Sequence, residues 1–336
     1  MPVTDTAALI DNRVAALARF HEDAHLPRAE LDVSGGIDSA TMLHLVSRAI
    51  GPEQVTAVYT GIASSEDSRA RARASAKSCG VPLVELEMTD ISQDLLAKMI
   101  TALSNAGYDR SSVERHIEQD PTVLGSFRSC LRAPVGRGIN RMTGGGLRHG
   151  TGNECEDRFL RFYQKGGDGE VDSNPIAMLS KGEVFQLARA LDVPRAILEA
   201  VPSPDLHGIG EAHNDEDELA ALYGVRWTYS KVDPDTGKYT FAGSIERMSR
   251  LLDEGAVEDA VFGEDPLDDA KLAKIVERGL ARAFRGFDYD EVHDLILSAR
   301  GVERITRHKQ NPNCPTLGDR GDLLAASLLT NELPEV

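Results

Sequence analysis

Segments typical of strands and helices alternate near the start of the chain, and this alternation limits the fold more than any other feature. In order, the segments are strand 31–33, helix 37–50, strand 55–59, helix 66–79 and strand 83–86. Strands that alternate with helices are joined by right-handed crossovers and form a parallel sheet with helices on both faces. We therefore expect an α/β fold, a doubly wound parallel sheet with flanking helices.

The rest of the chain adds helices around this unit. An amphipathic helix is predicted over 6–20, residues 91–142 are mostly helical, and Ser180 with Glu183 forms a capping box for a further helix. Aromatic and β-branched residues around a glycine-containing turn predict a β-hairpin within 227–241. We expect four regions, namely a leading helix (1–26), the main domain (27–224), a hairpin insertion (225–254) and a helical C-terminal region that completes the site (255–336).

The composition of the chain disfavours nucleic acid and membranes as binding partners. The chain has 54 acidic and 37 basic residues and a formal net charge of −17, which disfavours binding of nucleic acid. The four cysteines are widely spaced without a C-x-x-C pair, as expected for a protein of the reducing cytoplasm. No run approaches the roughly 20 apolar residues that span a bilayer, so no membrane association is expected.

The segment Ser34-Gly35-Gly36-Ile37-Asp38-Ser39 follows the first strand and opens the first helix of the sheet. Adjacent glycines let the backbone approach phosphates, and a helix start offers unpaired N–H groups. A carboxylate such as Asp38 tolerates phosphates when Mg²⁺ lies between them. The alternative is an ordinary serine- and glycine-rich helix cap. The Walker pattern is absent, which favours cleavage at the α-phosphate of ATP over γ-phosphate transfer.

Further motifs follow in order along the chain. They are Ser64–Ser68, Gly150-Thr151-Gly152-Asn153-Glu154-Cys155-Glu156, Lys165 with Gly167–Asp172, Asn174-Pro175-Ile176 with Lys181, Pro202–Leu206, Asp215–Leu219 and His308-Lys309. Together with the Ser34–Ser39 loop, this succession resembles the NAD synthetase family, ammonia-dependent type, within the N-type ATP pyrophosphatases (adenine nucleotide alpha hydrolase-like).

The resemblance implies roles for individual residues. It implies contacts to ATP from Asp32, Val33, Ser34, Gly35, Gly36, Ile37, Asp38, Ser39, Thr151, Lys181 and Ser203. It implies Mg²⁺ ligands at Asp38 and Glu156, with Asp38 and Lys181 serving catalysis. It implies contacts to deamido-NAD from Arg132, Lys165, Asp172, His308 and Lys309.

The implied reaction is ATP-dependent amide formation. The nicotinate carboxylate of deamido-NAD becomes an adenylate with release of pyrophosphate, and ammonia then displaces AMP to give NAD. No nitrilase-like domain precedes the loop, so free ammonia or a separate glutaminase is the expected nitrogen source. The resemblance and the leading helix together suggest a homodimer.

Two departures from the family pattern leave the substrate open. Within 126–132, Cys130 stands where the family has an arginine, so that only Arg132 remains. The expected insertion 225–254 lies near the predicted substrate loop. An amide synthetase for another carboxylic acid is therefore an alternative, and a tRNA-modifying ATP pyrophosphatase is a second one that the acidic charge disfavours.

Two further patterns are interpreted as structural. His21 and His25 match the zinc pattern H-E-x-x-H, but they fall at a helix end before Pro27. The acidic run after Asn214 suits the first turn of a helix, where negative charge complements the helix dipole.

Overall fold

The structure, a computed structural model, describes residues 2–200, 214–310 and 316–333. Four parallel strands form the central sheet, namely β1 (Ala29–Asp32), β2 (Val55–Gly61), β3 (Leu83–Glu87) and β4 (Leu147–Arg148). Their order is β3-β2-β1-β4, so β1 lies between β2 and β4. The expected parallel α/β sheet is confirmed, and its carboxyl edge gathers the turns that follow β1, β2 and β4.

Six helices lie between residues 6 and 142. They are α1 (Thr6–Ala24), α2 (Ile37–Ile50), α3 (Glu66–Cys79), α4 (Thr89–Asn105), α5 (Arg110–Gln119) and α6 (Pro121–Met142), with a short 3-10 turn at Pro52–Gln54. The predicted bounds of α2 and α3 are confirmed. The Ser65 hydroxyl caps α3 by accepting from the Ser68 amide, and Gly80 ends it in the left-handed region.

The second half is mostly helical and contains the hairpin. Its helices are α7 (Glu154–Asp157), α8 (Lys181–Ala190), α9 (Arg195–Leu198), α10 (Asp215–Tyr223), α11 (Ser244–Leu252), α12 (Gly255–Phe262), α13 (Asp269–Ala281), α14 (Tyr289–Thr306) and α15 (Arg320–Ala325), with a 3-10 turn at Arg307–Lys309. Strands β5 (Lys231–Val232) and β6 (Tyr239–Phe241) pair antiparallel as predicted. The capping box of Ser180 and Glu183 is confirmed at the start of α8. Among the described helices, none is both long and apolar enough to cross a membrane.

Two hydrophobic cores hold these elements. The first core joins the sheet to α1, α2 and α8 through residues such as Leu9, Leu31, Leu43, Ala57 and Leu187. The second core joins the hairpin region and the C-terminal helices through residues such as Phe159, Trp227, Met248, Phe284 and Ile296. The leading helix α1 packs on α2, and its apolar face is therefore used within the chain.

The polar character of β4 is explained by a buried ion cluster. The Arg148 side chain is 2% exposed, and its Nη1 donates to both carboxylate oxygens of Glu30 on β1 at 2.8 Å. The other terminal nitrogen of Arg148 donates to Asp32 at the end of β1. Buried charges of this kind are tolerated only when paired, so this cluster fixes β4 beside β1.

His149 follows this strand and meets a histidine of the leading helix. Its Nε2 lies 2.9 Å from His21 Nε2, and its Nδ1 lies 2.7 Å from the Ser173 hydroxyl. His21 Nδ1 in turn lies 2.6 Å from the Leu26 carbonyl oxygen. Burial, reinforced by His21, lowers the pKa of His149 to about 3, and burial also lowers the pKa of His21.

The unfolded chain should therefore bind protons at these histidines when the folded chain does not. For His149, stability is fully present above the unfolded pKa of 6.5 and is lost as the pH falls toward 3, by up to about 1.4 kcal/mol per pH unit. We expect His149→Gln to flatten this fall when urea unfolding is measured between pH 7 and about pH 5. An identical slope in wild type and His149→Gln would contradict the assignment.

The turn after β1 lies tightly against α3. Gly35 has φ of 84°, and a Cβ built on it would lie 2.3 Å from the Ser68 carbonyl oxygen. The Arg71 guanidinium, also on α3, donates to the Gly35 carbonyl at 3.0 Å. Only glycine satisfies both the backbone conformation and this close approach.

A methyl group at Gly35 should therefore distort the turn. We expect Gly35→Ala to lower the free energy of unfolding by about 1–3 kcal/mol, as measured by urea unfolding. Gly36→Ala is the matched control, because its Cβ would meet only the Ser34 hydroxyl, at 3.3 Å. Equal effects of the two substitutions would show that the approach to Ser68 is unimportant.

Candidate functional site

The turn that begins the site is built from its own hydroxyl groups. The Ser34 hydroxyl accepts from the Gly36 amide at 3.2 Å, and the Ser39 hydroxyl donates to the Gly36 carbonyl at 3.0 Å. Val33 and Ile37, also predicted to contact ATP, are buried, and their side chains pack in the core around the sheet. Among the side chains that the structure describes, none caps the start of α2, whose first-turn N–H groups are therefore available to an anion.

Lys181 connects this turn to the rest of the site. It is the first residue of α8 and is 3% exposed, and its Nζ donates to Asp38 Oδ2 at 2.6 Å and to Glu156 Oε1 at 2.8 Å. Burial opposes the charge, but the two carboxylates raise the pKa of Lys181 above its usual value. The structure thus brings together three residues that the sequence predicted for catalysis and metal binding.

Asn153 sets the geometry between these residues. Its Oδ1 accepts from the amides of Cys155 and Glu156 and caps the short helix α7, while its Nδ2 donates to Asp38 Oδ1 at 3.1 Å. One side chain therefore fixes both carboxylates relative to each other. Thr151 lies half-buried in the loop just before this cap.

Asp215 belongs to the same cluster, and the sequence analysis missed it. Its neighbour Asn214 does cap α10 as predicted, accepting from the Asp217 amide at 2.9 Å, but Asp215 itself is 7% exposed. Burial raises the pKa of Asp215 to about 7, with the Lys181 ammonium opposing and Glu156 adding to the shift. One oxygen of this carboxylate, Oδ1, is buried and has no hydrogen-bond partner among the described residues. Nothing local in the acidic run distinguishes the buried acid from its exposed neighbours.

Lys165, His308 and Lys309 form a second group. Lys165 Nζ donates to the His308 carbonyl at 3.2 Å, and Lys309 Nζ donates to the Tyr163 carbonyl at 2.7 Å. The loop that carries Lys165 also lies against α6, where the Cys130 thiol is 3.9 Å from the Lys165 carbonyl oxygen. Residues far apart in sequence are thus joined in one basic group.

Arg132 and Asp172 lie nearer to the sheet. Arg132 on α6 donates to the Thr60 carbonyl at 3.2 Å, at the end of β2. Asp172 accepts from both terminal nitrogens of Arg137, at 2.8 and 2.9 Å. Arg137 is thus a neighbour of the predicted substrate residues that no motif indicated.

The remaining predicted residues stand apart from these groups. Asp32 is paired with Arg148, and its other oxygen is buried with no hydrogen-bond partner within residues 2–200, 214–310 and 316–333. Ser203 lies outside the described residues. In the described ranges, no three His, Cys, Asp or Glu side chains are placed so that they alone could hold a metal ion.

The arrangement combines an anion-binding helix start with a buried cation between two carboxylates. Such a site can bind a polyphosphate at the turn and balance negative charge that develops during phosphate transfer. The basic second group can bind a further anionic substrate beside it. These features fit the activation of one substrate by a nucleotide triphosphate.

Comparison with known sequences agrees with this geometry. The NAD synthase family model matches residues 9–234. The NH(3)-dependent NAD(+) synthetase of Alkaliphilus oremlandii is 30% identical over 214 residues, covering 64% of this chain and 81% of that protein. The protein of the same name from Archaeoglobus fulgidus is 34% identical over 196 residues, covering 57% of this chain and 70% of that protein.

Solved structures share the fold at lower sequence identity. An NMN synthetase from Francisella tularensis has a TM-score of 0.55 at 23% identity, covering 64% of this chain and 82% of that one. An NH3-dependent NAD synthetase from Campylobacter jejuni has a TM-score of 0.52 at 17% identity, covering 85% and 98%. The family model spans more than half of the sequence, and the chain therefore belongs to the NAD synthase family.

Proposed function

We propose that the protein is an ammonia-dependent NAD synthetase. It uses ATP to adenylate the carboxylate of deamido-NAD, releases pyrophosphate, and amidates the adenylate with ammonia to give NAD and AMP. The relatives that match over most of their length carry this activity in their names. The observation that carries the proposal is the Lys181 ammonium held between Asp38 and Glu156, beside the open start of α2.

Asp38 and Glu156 are suited to share a Mg²⁺ ion. An oxygen of each carboxylate already contacts one cation, the Lys181 ammonium. Mg²⁺ usually takes one or two protein carboxylates and completes its shell with phosphate oxygens and water, so two acids are sufficient. When bound, the ion would neutralise charge on the triphosphate and on the departing pyrophosphate.

Different residues of the chain have different roles in the proposed adenylation. The amides of the Ser34–Ser39 turn and of the first turn of α2 bind phosphate oxygens, with the two serine hydroxyls as additional donors. Lys181 stabilises negative charge at the α-phosphate as the substrate carboxylate attacks it. Thr151 and Ser203 are assigned to the nucleotide through the family resemblance.

Asp215 suits the second half of the reaction. Ammonia in neutral solution is mostly ammonium and must lose a proton before it can attack the adenylate. A buried carboxylate with a pKa of about 7 and an unpaired oxygen can bind the ammonium ion and accept that proton. Free ammonia or a separate glutaminase would supply the nitrogen.

The basic groups around the site suit an anionic dinucleotide substrate. Lys165, His308 and Lys309 lie together, and Arg132 and Asp172 lie at the sheet edge. We assign these five residues to deamido-NAD. The proposed setting is the cytoplasm, since Cys79, Cys130 and Cys155 are free thiols, as is usual in a reducing compartment.

Replacing the shared carboxylate tests the proposal. Purified wild type with ATP, Mg²⁺, ammonia and deamido-NAD should form NAD, AMP and pyrophosphate in equal amounts. We expect Asp38→Asn to lower pyrophosphate release by at least about 100-fold, because the variant loses an anion shared by Lys181 and the metal. Coupled pyrophosphate detection and chromatography of NAD give the rates, and circular dichroism checks the fold.

Lys98→Ala on the exposed surface of α4 serves as the control and should keep full activity. No NAD from folded, magnesium-supplied wild type would overturn the assignment. Pyrophosphate release that requires a different carboxylic acid would favour the alternative amide synthetase, and release that requires tRNA would favour a tRNA-modifying enzyme.

The helices that follow β3 suggest where a second copy binds. Apolar side chains are exposed along α4 and just after it, with Ile91 57%, Met99 44% and Tyr108 61% exposed. Residues of α4, α5 and α6 line an apolar groove of ≈ 430 Å³. Contiguous exposed apolar surface of this kind marks an interface, and we propose that it forms a homodimer contact.

A charge placed in this surface should prevent association. We expect wild type at micromolar concentration to have twice the mass of one chain by light scattering, and Met99→Asp to have the mass of one chain with an unchanged circular dichroism spectrum. Lys98→Ala on the same helix should remain dimeric. A monomeric wild type, or a dimeric Met99→Asp, would exclude this contact.

A further inference from the structure

Tyr229, in the expected insertion 225–254, lies against the central cation of the site. Its side chain is 3% exposed, and the Lys181 Nζ is 5.1 Å from the centre of its ring. An ammonium over an aromatic face is attracted by the ring quadrupole, most strongly when water is excluded. In the part of the chain that the structure describes, the Tyr229 hydroxyl is buried without a hydrogen-bond partner, whereas its ring contacts the Lys181 ammonium.

The same segment also holds the backbone on both sides of Lys181. The hydroxyl of Ser180, which precedes it, donates to Glu246 Oε1 on α11 at 2.8 Å. Tyr239 on β6 donates to the same Glu246 oxygen at 3.1 Å. A Cβ on Gly182, which follows Lys181, would lie 2.2 Å from the Tyr239 hydroxyl. The first turn of α8 is therefore packed directly on the hairpin and α11.

Glu246 is suited to this role because it is itself held in place. It is 1% exposed and also accepts a hydrogen bond from the Ser230 hydroxyl. A buried acid with several donors keeps one position, since each broken bond leaves a polar group unsatisfied. The position of the α8 start thus follows that of the insertion.

Tyr229 differs from the other partners of Lys181 in one respect. Asp38 and Glu156 hold the ammonium through oxygens that the proposed function assigns to Mg²⁺ as well. A ring face does not compete for carboxylate oxygens and can keep the ammonium in place when a second cation engages them.

We propose that Tyr229, with Glu246 and Tyr239, positions Lys181 toward the triphosphate when Asp38 and Glu156 bind the metal. The proposal rests on the function proposed above. It assigns to the insertion a part in catalysis through Lys181, without contact between the insertion and the reacting atoms.

A double-mutant cycle tests whether Tyr229 acts through Lys181. The four proteins are wild type, Tyr229→Leu, Lys181→Met and the double variant. Their affinity for a non-hydrolysable ATP analogue with Mg²⁺ is measured by calorimetry, which requires no turnover. We expect Tyr229→Leu to weaken binding about 3- to 30-fold in wild type and less than about 2-fold in the Lys181→Met background.

The turnover of two Tyr229 variants distinguishes loss of the aromatic ring beside Lys181 from a general loss of packing. Tyr229→Phe keeps the ring and should retain kcat within about 3-fold, whereas Tyr229→Leu should lower kcat by about 10-fold or more. Tyr223→Leu is the control for lost aromatic packing and should keep kcat, because Tyr223 is partly buried against the same hydrophobic core, whereas the Lys181 ammonium lies over the ring of Tyr229. Glu246→Gln should lower kcat while the KM for deamido-NAD stays within about 2-fold.

Additive effects of the two substitutions in the binding cycle would overturn the proposal, as would equal losses in Tyr229→Leu and Tyr223→Leu. NAD formation by wild type tests the proposed function separately from this proposal. If wild type forms no NAD, the binding cycle still reports whether Tyr229 holds Lys181.

Discussion

The buried ammonium of Lys181 is the interaction on which the site depends. An ammonium removed from water loses several kcal/mol of hydration, which only close anions restore. The anions come from α2 and α7, so that the burial of one lysine at the start of α8 requires three elements to meet. Because α2 begins at the turn after β1, this meeting places the cation beside the helix start that we propose binds phosphate.

A further set of buried ion pairs joins α7 and α8 to the C-terminal helices α11 and α15. Glu154 on α7 accepts from Arg250 on α11 at 2.5 Å, and Glu183 on α8 pairs with Arg320 on α15 at 2.8 Å. Removal of one member of such a pair leaves an uncompensated charge that costs about 3–5 kcal/mol. The C-terminal helices are thus connected by charge to the two short segments that carry Glu156 and Lys181.

Much of the fold and part of the site can be predicted from local sequence patterns. The bounds of α2 and α3 could be predicted because their stop and start signals lie within a few residues, as with Ser65 and Gly80. The Ser34–Ser39 turn was recognisable for the same reason. The ion pair that holds Arg148 in β4 could not be predicted from local sequence, because its partner Glu30 lies 118 residues away. Asp215 and Tyr229 escaped notice because a helix cap and a hairpin strand are sufficient local explanations for them.

The two separate hydrophobic cores have a consequence for how the molecule loses function. The turn proposed to bind phosphate belongs to the core around the sheet, whereas Tyr229 and the helix that carries Glu246 belong to the other. Cooperative units with separate cores can open independently of each other. Partial melting of the C-terminal unit would leave a folded sheet able to hold a nucleotide but unable to turn it over, so inactivation can precede global denaturation.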